Sequence, residues 1–597
     1  MRNLSIILLL SVTTVVVCQT FVSGAVTGVW DSTGSPFYVT DSVCVPSGDS
    51  LRIGPGVEVI FQGHYKFCVD SAAVLKAIGT AEDSIVFTSE DTVLTDSTGG
   101  WGGIKLDYFH LNCVIEYCKF GFSYGNAIEN WYGRLVLSDC LFRRCNTGLM
   151  WMNSSLDSTD TTRFIAYNCI FSDIDNEGIW LYTGILSAII SNSEFRNCGD
   201  GMYAGGSVRV ENCIFENNMN YGLFLDHTDY HVENCLIENN LNHGIFLGGE
   251  DGEVIGNEIK DNDGFGAYFT GCMCSGSTII ENNRIWGNTE GGVYLEGHYK
   301  PKFQNNIIFG GIEYYANGWW WQYLDFVNNT VDSLIIWPPD TSFIEIETYL
   351  TVYNNAFFGS GLHCDSSNVY VYLISENNRI CSNSDFVDPG SFNFHLASDS
   401  PCVNGGIDSV FFNRLDYWDS VTVCPETIYA PTFDIDSTSR PQGFGWDIGA
   451  YESPYSAVCE VEINRGWNLF SIPSITSEPT STFGTSVFGY DATIPDYYTP
   501  DSLLNGDGYW ALGLSSDSIE VPGNLPSFSD TLYRGWNLIG AIRYPIPISR
   551  IATEPAGLGM SPPYGWDGMD YFLADSLYPG KGYWFLSSGN GRITVGP

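Results

Sequence analysis

The chain has 597 residues, 44% hydrophobic and 15% aromatic, enough apolar material for a large core and enough length for two or more domains. Its 69 acidic side chains against 25 basic ones leave a formal net charge of −44. A surface of that sign repels nucleic acid and anionic lipid, so neither is expected as a partner.

Residues 1–25 have the form of an export signal. Arg2 supplies the positive start, Leu4 to Val17 is an apolar run too short to span a bilayer comfortably, and Ser23-Gly24-Ala25 offers small residues for cleavage before Val26. Val17 stands before Cys18 where lipid attachment would want Gly or Ala. No later stretch is long and apolar enough to be a transmembrane helix. The expectation is a secreted or cell-surface protein.

From residue 108 to 383 the chain repeats. SVRVENCIFENNMNYGLFL, from Ser207, returns as YHVENCLIENNLNHGIFL, and Asn212, Cys213, Asn218 and Gly222 recur at one common offset as Asn234, Cys235, Asn240 and Gly244. A small polar residue two before a large apolar one recurs at near-regular intervals, at Cys118, Cys140, Cys169, Ser193, Cys213, Cys235, Asn257, Asn283, Asn306, Asn329, Asn355 and Asn378. One copy is too short to bury its own core, so the repeat predicts a solenoid whose turns stabilise each other. Alternating apolar residues such as Val208 and Val210, broken by Asn and Gly, read as short β-strands. Stacked coils lie about 4.8 Å apart, and the recurring Asn amides are expected to hydrogen-bond from coil to coil. Cys substitutes for Asn in that column, so most of the 18 cysteines are expected as buried thiols. Cys272 and Cys274 sit in an insertion, TGCMCSGS, and read as a loop staple or an inert pair.

Around this repeat stand further recurring elements: Val45-Pro46-Ser47-Gly48, Gly54-Pro55-Gly56-Val57 and Trp101-Gly102-Gly103-Ile104 before it, and Ser400-Pro401-Cys402, Arg440-Pro441 and Asp447-Ile448-Gly449-Ala450-Tyr451-Glu452 after it. With these the chain resembles the secreted bacterial right-handed parallel β-helix proteins of the pectin-lyase-like superfamily. The resemblance implies an all-β fold: a right-handed parallel β-helix over 26–455, capped at both ends, with Arg440 and the nearby acids in a closing segment. It is poor for activity, because the superfamily holds polysaccharide lyases, glycosidases, adhesins and proteins of no known activity.

Residues 456–597 carry a second, longer repeat. Arg465-Gly466-Trp467-Asn468-Leu469 returns as Arg534-Gly535-Trp536-Asn537-Leu538, Phe488-Gly489-Tyr490-Asp491 as Tyr564-Gly565-Trp566-Asp567, and Gly508-Tyr509-Trp510 as Gly582-Tyr583-Trp584. Two small all-β modules are expected to pair into one pseudo-symmetric domain, with the recurring aromatics serving as core or as sugar platforms.

Chemistry is sparsely signalled. The N-T-D, adjacent Asp-Asp and R-I-K pattern of the polygalacturonase group is absent. A calcium-dependent lyase would need acidic metal ligands beside a basic residue. Asp226, Glu250, Asp251 and Glu253, with Lys260 and Arg284, are the candidates for such a catalytic site, and calcium is the one cofactor it would take. Trp319, Trp320 and Trp321 are candidates for glycan or partner binding. The reading is a non-catalytic protein that binds glycan or a cell-surface partner, with a polysaccharide lyase or hydrolase, or a structural surface component, as the alternatives.

Overall fold

The computed structural model describes residues 19–596 except 94–98, 108–112, 132, 154–163, 184–187, 227–228, 250–251, 271–276, 297–299, 316–321, 338–347, 365–370, 398–399, 401, 416–422, 443–445, 454–457, 475, 524, 526 and 543–544. It is all-β, with four single-turn 3-10 segments as its only helical elements among the described residues. The chain divides into two compact units, residues 1–278 with 284–298, and residues 279–283 with 299–597. The domain border expected at 455–456 lies outside the described residues.

The first unit is built of coils with three strands each. In one coil the strands are Val208–Glu211, Ile214–Glu216 and Leu223–Asp226; in the next, Tyr230–Glu233, Leu236–Glu238 and Ile245–Gly248. Each pairs in parallel with its counterpart, Val208 on Tyr230, Ile214 on Leu236 and Leu223 on Ile245, all at one offset. The repeat in the sequence is therefore the register of the sheet.

The corners explain the Asn-rich composition. Asn168, Asn192, Asn212 and Asn234, each just before a recurring small polar residue, have φ between 48° and 54°. A second column, including Arg144, Asp173, Asn197, Asn217, Asn239 and Asp261, is left-handed in the same way. Asn and Asp tolerate this region better than other residues with a Cβ, because their short polar side chains bond locally. Inside the corner the next side chain is buried. Asn218, Asn240, Asn262 and Asn288 form a continuous amide ladder, each Nδ2 donating to the following Oδ1 at 2.8, 2.8 and 2.9 Å. The thiols of Cys213 and Cys235 lie against the carbonyl oxygens of Glu211 and Glu233, both at 3.3 Å, and these cysteines are free.

The interior is a column of rings. Phe87, Phe120, Phe142, Phe171, Phe195 and Phe215 stack with centroids 4.6 to 5.1 Å apart and planes within 8° of parallel. At the start of the described chain, Thr20–Ala25 is a strand paired with Phe37–Val45, so cleavage of the expected export signal before Val26 would remove it. The strand is mostly exposed and its loss costs little core.

The second unit continues the pattern with its own ladder: Asn283, Asn306, Asn329, Asn355 and Asn378, each amide donating to the next at 2.8 to 3.1 Å. Residues 407–449 bond to the corner asparagines beside that ladder, Asn305, Asn328 and Asn354 donating to the carbonyls of Phe433, Asp447 and Ile407. Arg440 is buried; its guanidinium donates to the carbonyls of Asp447 (3.2 Å) and Gly449 (2.9 Å) and lies 3.5 Å from Glu452. The amide of Asn328 donates to the Asp447 carbonyl at 2.9 Å. Arginine and acids here serve the cap.

The C-terminal repeat forms two four-stranded antiparallel sheets of one topology. Gly466–Ser471, Gly508–Gly513, Val487–Asp491 and Asp496–Tyr498 make the first; Gly535–Ile539, Tyr583–Ser587, Tyr564–Trp566 and Tyr571–Leu573 make the second. Leu469 and Trp510 of one copy pack with Leu538 and Trp584 of the other.

Candidate functional site: an outward aromatic strip

On the third strand of each coil the side chains alternate. Leu223, Leu225, Ile245 and Leu247 point inward and are fully buried, while Phe224 and Phe246 between them point out and are only partly covered. Trp180, Tyr203, Phe224, Phe246, Tyr268 and Tyr294 occupy this outward position in successive coils of the first unit. They form a strip of stacked rings with centroids 6.2, 5.1, 4.4, 5.5 and 4.5 Å apart. Rings stacked face to face on a sheet present their edges outward, and in Tyr203, Tyr268 and Tyr294 their hydroxyls.

A column of glycines fixes the strip's flank. A Cβ on Gly222 would lie 2.7 Å from the Gly244 carbonyl oxygen, and one on Gly244 would lie 2.7 Å from that of Gly266. Next to these glycines stand Glu177, Asp200, Tyr221, His243 and Phe265. Glu177 and Asp200 are register partners in adjacent coils. Asp200 accepts the Tyr221 backbone N–H at 3.0 Å, and burial raises its carboxyl above the usual range. His243 lies parallel to Tyr268 at 4.7 Å, and its Nδ1 accepts the Phe265 backbone N–H at 2.9 Å. Burial holds His243 below its ordinary pKa, the nearby Glu290 opposing. Along the other edge lie Asp226, which faces Gly248 in the next coil, and Glu296, which takes a hydrogen bond from the Tyr294 hydroxyl at 3.4 Å.

The candidate residues of the sequence fall on different strands of the coil. Asp226 ends the strip strand. Glu253 lies on the first strand, where its carboxylate meets His231 Nδ1 at 2.7 Å, and His231 Nε2 meets Glu233 at 2.8 Å. Lys260 lies on the second strand, held by Glu258 at 2.6 Å and Glu238 at 3.2 Å, with its ammonium over the Trp286 ring. Arg284 is on the same kind of strand, opposite Glu258. Proximity in sequence grouped these residues, but a single coil turns through three faces, and the bonds of Lys260 and Glu253 are each local to one. Glu250 and Asp251, and Trp319, Trp320 and Trp321, lie outside the described residues.

Glu211, His231 and Glu233 bring three ligand atoms within 4.8 Å of one another. Arg209 already pairs with Glu211 and lies 3.5 Å from Glu233, so these carboxylates have a cation of their own. The grouping reads as a salt-bridge ladder. No helix among the described residues is long and apolar enough to cross a membrane.

The family model described as a right handed beta helix region matches residues 83–231 and 201–372. Among solved structures, the chain is similar to bacteriophage CBA120 tailspike protein 3, at 14% identity over 58% of this chain and 55% of that one, with a TM-score of 0.36. It spans about half the length of that tailspike. It is also similar to pectate lyase Pel9A, at 12% identity over 67% and 88% with a TM-score of 0.29, and to the periplasmic alginate epimerase AlgG, at 11% over 60% and 85% with a TM-score of 0.22. No curated protein matches the sequence.

Proposed function

We propose that this chain, a right-handed parallel β-helix protein, works outside the cytoplasm as a glycan-binding protein, and that the strip from Trp180 to Tyr294 is its contact face. The observation that carries this reading is the strip itself: six outward aromatic residues in successive coils, edged by acceptors. The row of ring edges offers a sugar chain apolar contact, and Asp226, Glu296 and the tyrosine hydroxyls suit its hydroxyl groups. Stacking across coils holds the rail rigid, so little ordering entropy is spent on binding.

The strip's arrangement favours binding over turnover. A lyase needs a base near its acids, and Lys260 is held by two glutamates on another strand. Asp200 and Asp226 both edge the strip, but Gly205 is the register position beside Asp226, and five residues of strand separate it from Asp200. That is about 16 Å, wider than the roughly 5 to 9.5 Å that glycosidases use.

One observation supports a second reading. Glu177 and Asp200 are cross-coil neighbours, the carboxyl of Asp200 is raised by burial, and each stands three residues before a strip ring, Trp180 and Tyr203. This pairing suits a hydrolase, with Asp200 as the acid.

The test uses purified protein on immobilised neutral and uronic polysaccharides, reading retention, reducing ends and ultraviolet absorbance of unsaturated products. Retention lost in Phe246→Ala and Tyr268→Ala, with no product formed, is the expected result. Reducing ends that vanish in Asp200→Asn would replace binding by hydrolysis. Retention unchanged in both ring variants would refute the strip as the contact face.

A further inference from the structure

The C-terminal domain presents a second aromatic surface, built twice. One cleft, of about 510 Å³, is lined by Trp467, Phe488, Trp510, Trp566, Tyr497 and Tyr571. The other, also about 510 Å³, is lined by Trp536, Tyr564, Trp584, Tyr490, Tyr497 and Tyr571. Repeat equivalence maps one onto the other: Trp467 to Trp536, Phe488 to Tyr564, Trp510 to Trp584, and Trp566 to Tyr490. Tyr497 faces Tyr490 across one hairpin, Tyr571 faces Trp566 across the matching one, and both tyrosines line both clefts. Each cleft therefore takes three rings from its own copy and one from the other, and the shared tyrosine pair joins the two into one groove.

The rings are available in a way the β-helix strip is not. Trp467 meets Trp510 edge to face at 6.2 Å and 86°, and Trp536 meets Trp584 at 6.2 Å and 78°. Trp467 is 47% exposed and Trp536 42%, with Tyr497 and Tyr571 each at 53%. Core demand does not explain them, since each copy has its own buried cluster, around Val461, Phe470 and Tyr509 in one and Leu532, Tyr583 and Ile593 in the other. Indole faces left open this way are the surfaces on which sugar rings stack.

Charge narrows the ligand. Among the described residues, no charged side chain lines either cleft. The nearby turns carry Asp491, Asp496, Asp567 and Asp570, and residues 457–597 hold 14 acidic against 6 basic side chains. An anionic polymer would meet repulsion without a counter-charge. A lone organic cation would need a far tighter cage than 510 Å³. We infer that the C-terminal domain binds one uncharged pyranose chain across two equivalent clefts, with Trp467 and Trp536 as the outer platforms and Tyr497 and Tyr571 at the crossing point. It takes its ligand class from the glycan-binding reading, and it is a separate site.

The test is titration of the full-length protein with cellobiose, cellohexaose and mannohexaose, followed by tryptophan fluorescence and calorimetry. Polygalacturonate and a proline-rich peptide are the comparison ligands. A neutral hexasaccharide is expected to occupy the groove as one chain, and its disaccharide more weakly as two, the groove's share being the part that the Trp variants remove. Trp467→Ala and Trp536→Ala should each weaken the hexasaccharide about tenfold, the worth of one stacking platform. Tyr497→Ala should weaken occupancy of both clefts at once. Met219→Ala, at an exposed position outside both aromatic surfaces, should leave these values unchanged, while Phe246→Ala removes only what the strip holds and spares the effects of the Trp variants, so failure of the strip and failure of the groove read out separately. Circular dichroism of the Trp variants, whose indoles are outside the buried clusters, checks that the fold is intact. Binding of the peptide instead, equal binding of polygalacturonate, no binding of any neutral oligosaccharide, or Trp467→Ala without effect would each overturn the proposal.

Discussion

The amide ladder makes a sharp prediction at Asn240. Its Oδ1 accepts from the Asn218 backbone N–H at 3.0 Å and the Asn218 Nδ2 at 2.8 Å. Its Nδ2 donates to the Phe215 carbonyl at 3.2 Å and to Asn262 Oδ1 at 2.8 Å. Asn240→Ala deletes all four bonds at a site 1% exposed, where water cannot replace them. The damage is uneven. Asn218 Nδ2 keeps the Phe195 carbonyl at 3.3 Å, and Asn262 Oδ1 keeps the Asn240 backbone N–H at 3.1 Å. The Asn218 N–H loses its acceptor. One orphaned buried donor costs about 1–3 kcal/mol, and the other weakened bonds add about 1 kcal/mol together, so the variant should lose about 3 kcal/mol. Urea unfolding against Met219→Ala, an exposed residue in the adjacent coil, measures the difference, and hydrogen exchange reads the Asn218 amide directly. Because coils unfold by neighbours, the exchange experiment also reports whether the loss stays local. A loss under about 0.5 kcal/mol with the Asn218 amide still protected would refute the view that the ladder supports the corner.

Gly244→Ala places a methyl 2.7 Å from the Gly266 oxygen and 2.8 Å from the Ile259 Cγ2 atom, neither free to retreat, and should lower thermal stability more than Gly205→Ala, whose nearest neighbour would be 3.5 Å away. In the cap, burial raises Asp447 to about 8. The folded state then keeps a proton that the unfolded chain loses near pH 4, so stability should fall as pH rises from about 4 to 8, by at most about 1.4 kcal/mol per unit, and level off above. Asp447→Asn should flatten that slope in a urea series across pH; an unchanged slope would show that another group carries it. Cys381 and Cys402 hold their sulfur atoms 3.1 Å apart with both side chains buried. Oxidising buffer should close this pair while the Asn-column thiols stay reduced, as thiol titration of the unfolded protein with and without reductant will show.

What the sequence revealed and what it concealed have physical causes. The near-regular offset between coils is visible because parallel in-register stacking forces like over like, so Cys213 and Cys235 must match as well as Val208 and Tyr230 do. The left-handed corners were written in Asn212 and Asn234, residues chosen for a backbone conformation. The aromatic strip was hidden by its own composition. In Leu223-Phe224-Leu225 every residue is apolar, and period-two alternation without a polar partner does not say which set faces out. The glycine column was the usable signal, since a glycine two residues before each strip ring marks the flank of that strand. Lys260 and Glu253 are neighbours in sequence but not in site, because sequence distance within a coil carries no information about which of three faces a residue occupies. In the C-terminal repeat, recurrence of Trp467 and Trp536 was legible, but whether a recurring indole fills a core or stands on a surface depends on which other residues fill that core.

The constant register has a further consequence. Val208 on Tyr230, Ile214 on Leu236 and Leu223 on Ile245 share one offset, so cutting out or duplicating one whole coil here joins each position to an equivalent one. Inward rings, corner asparagines and strip rings would all meet their own kind across the new junction. The protein's length is thus a quantity that whole-coil gain and loss can adjust without redesign. The strip behaves as a ruler graduated in coils, and the length it would offer the proposed ligand can be reset one graduation at a time.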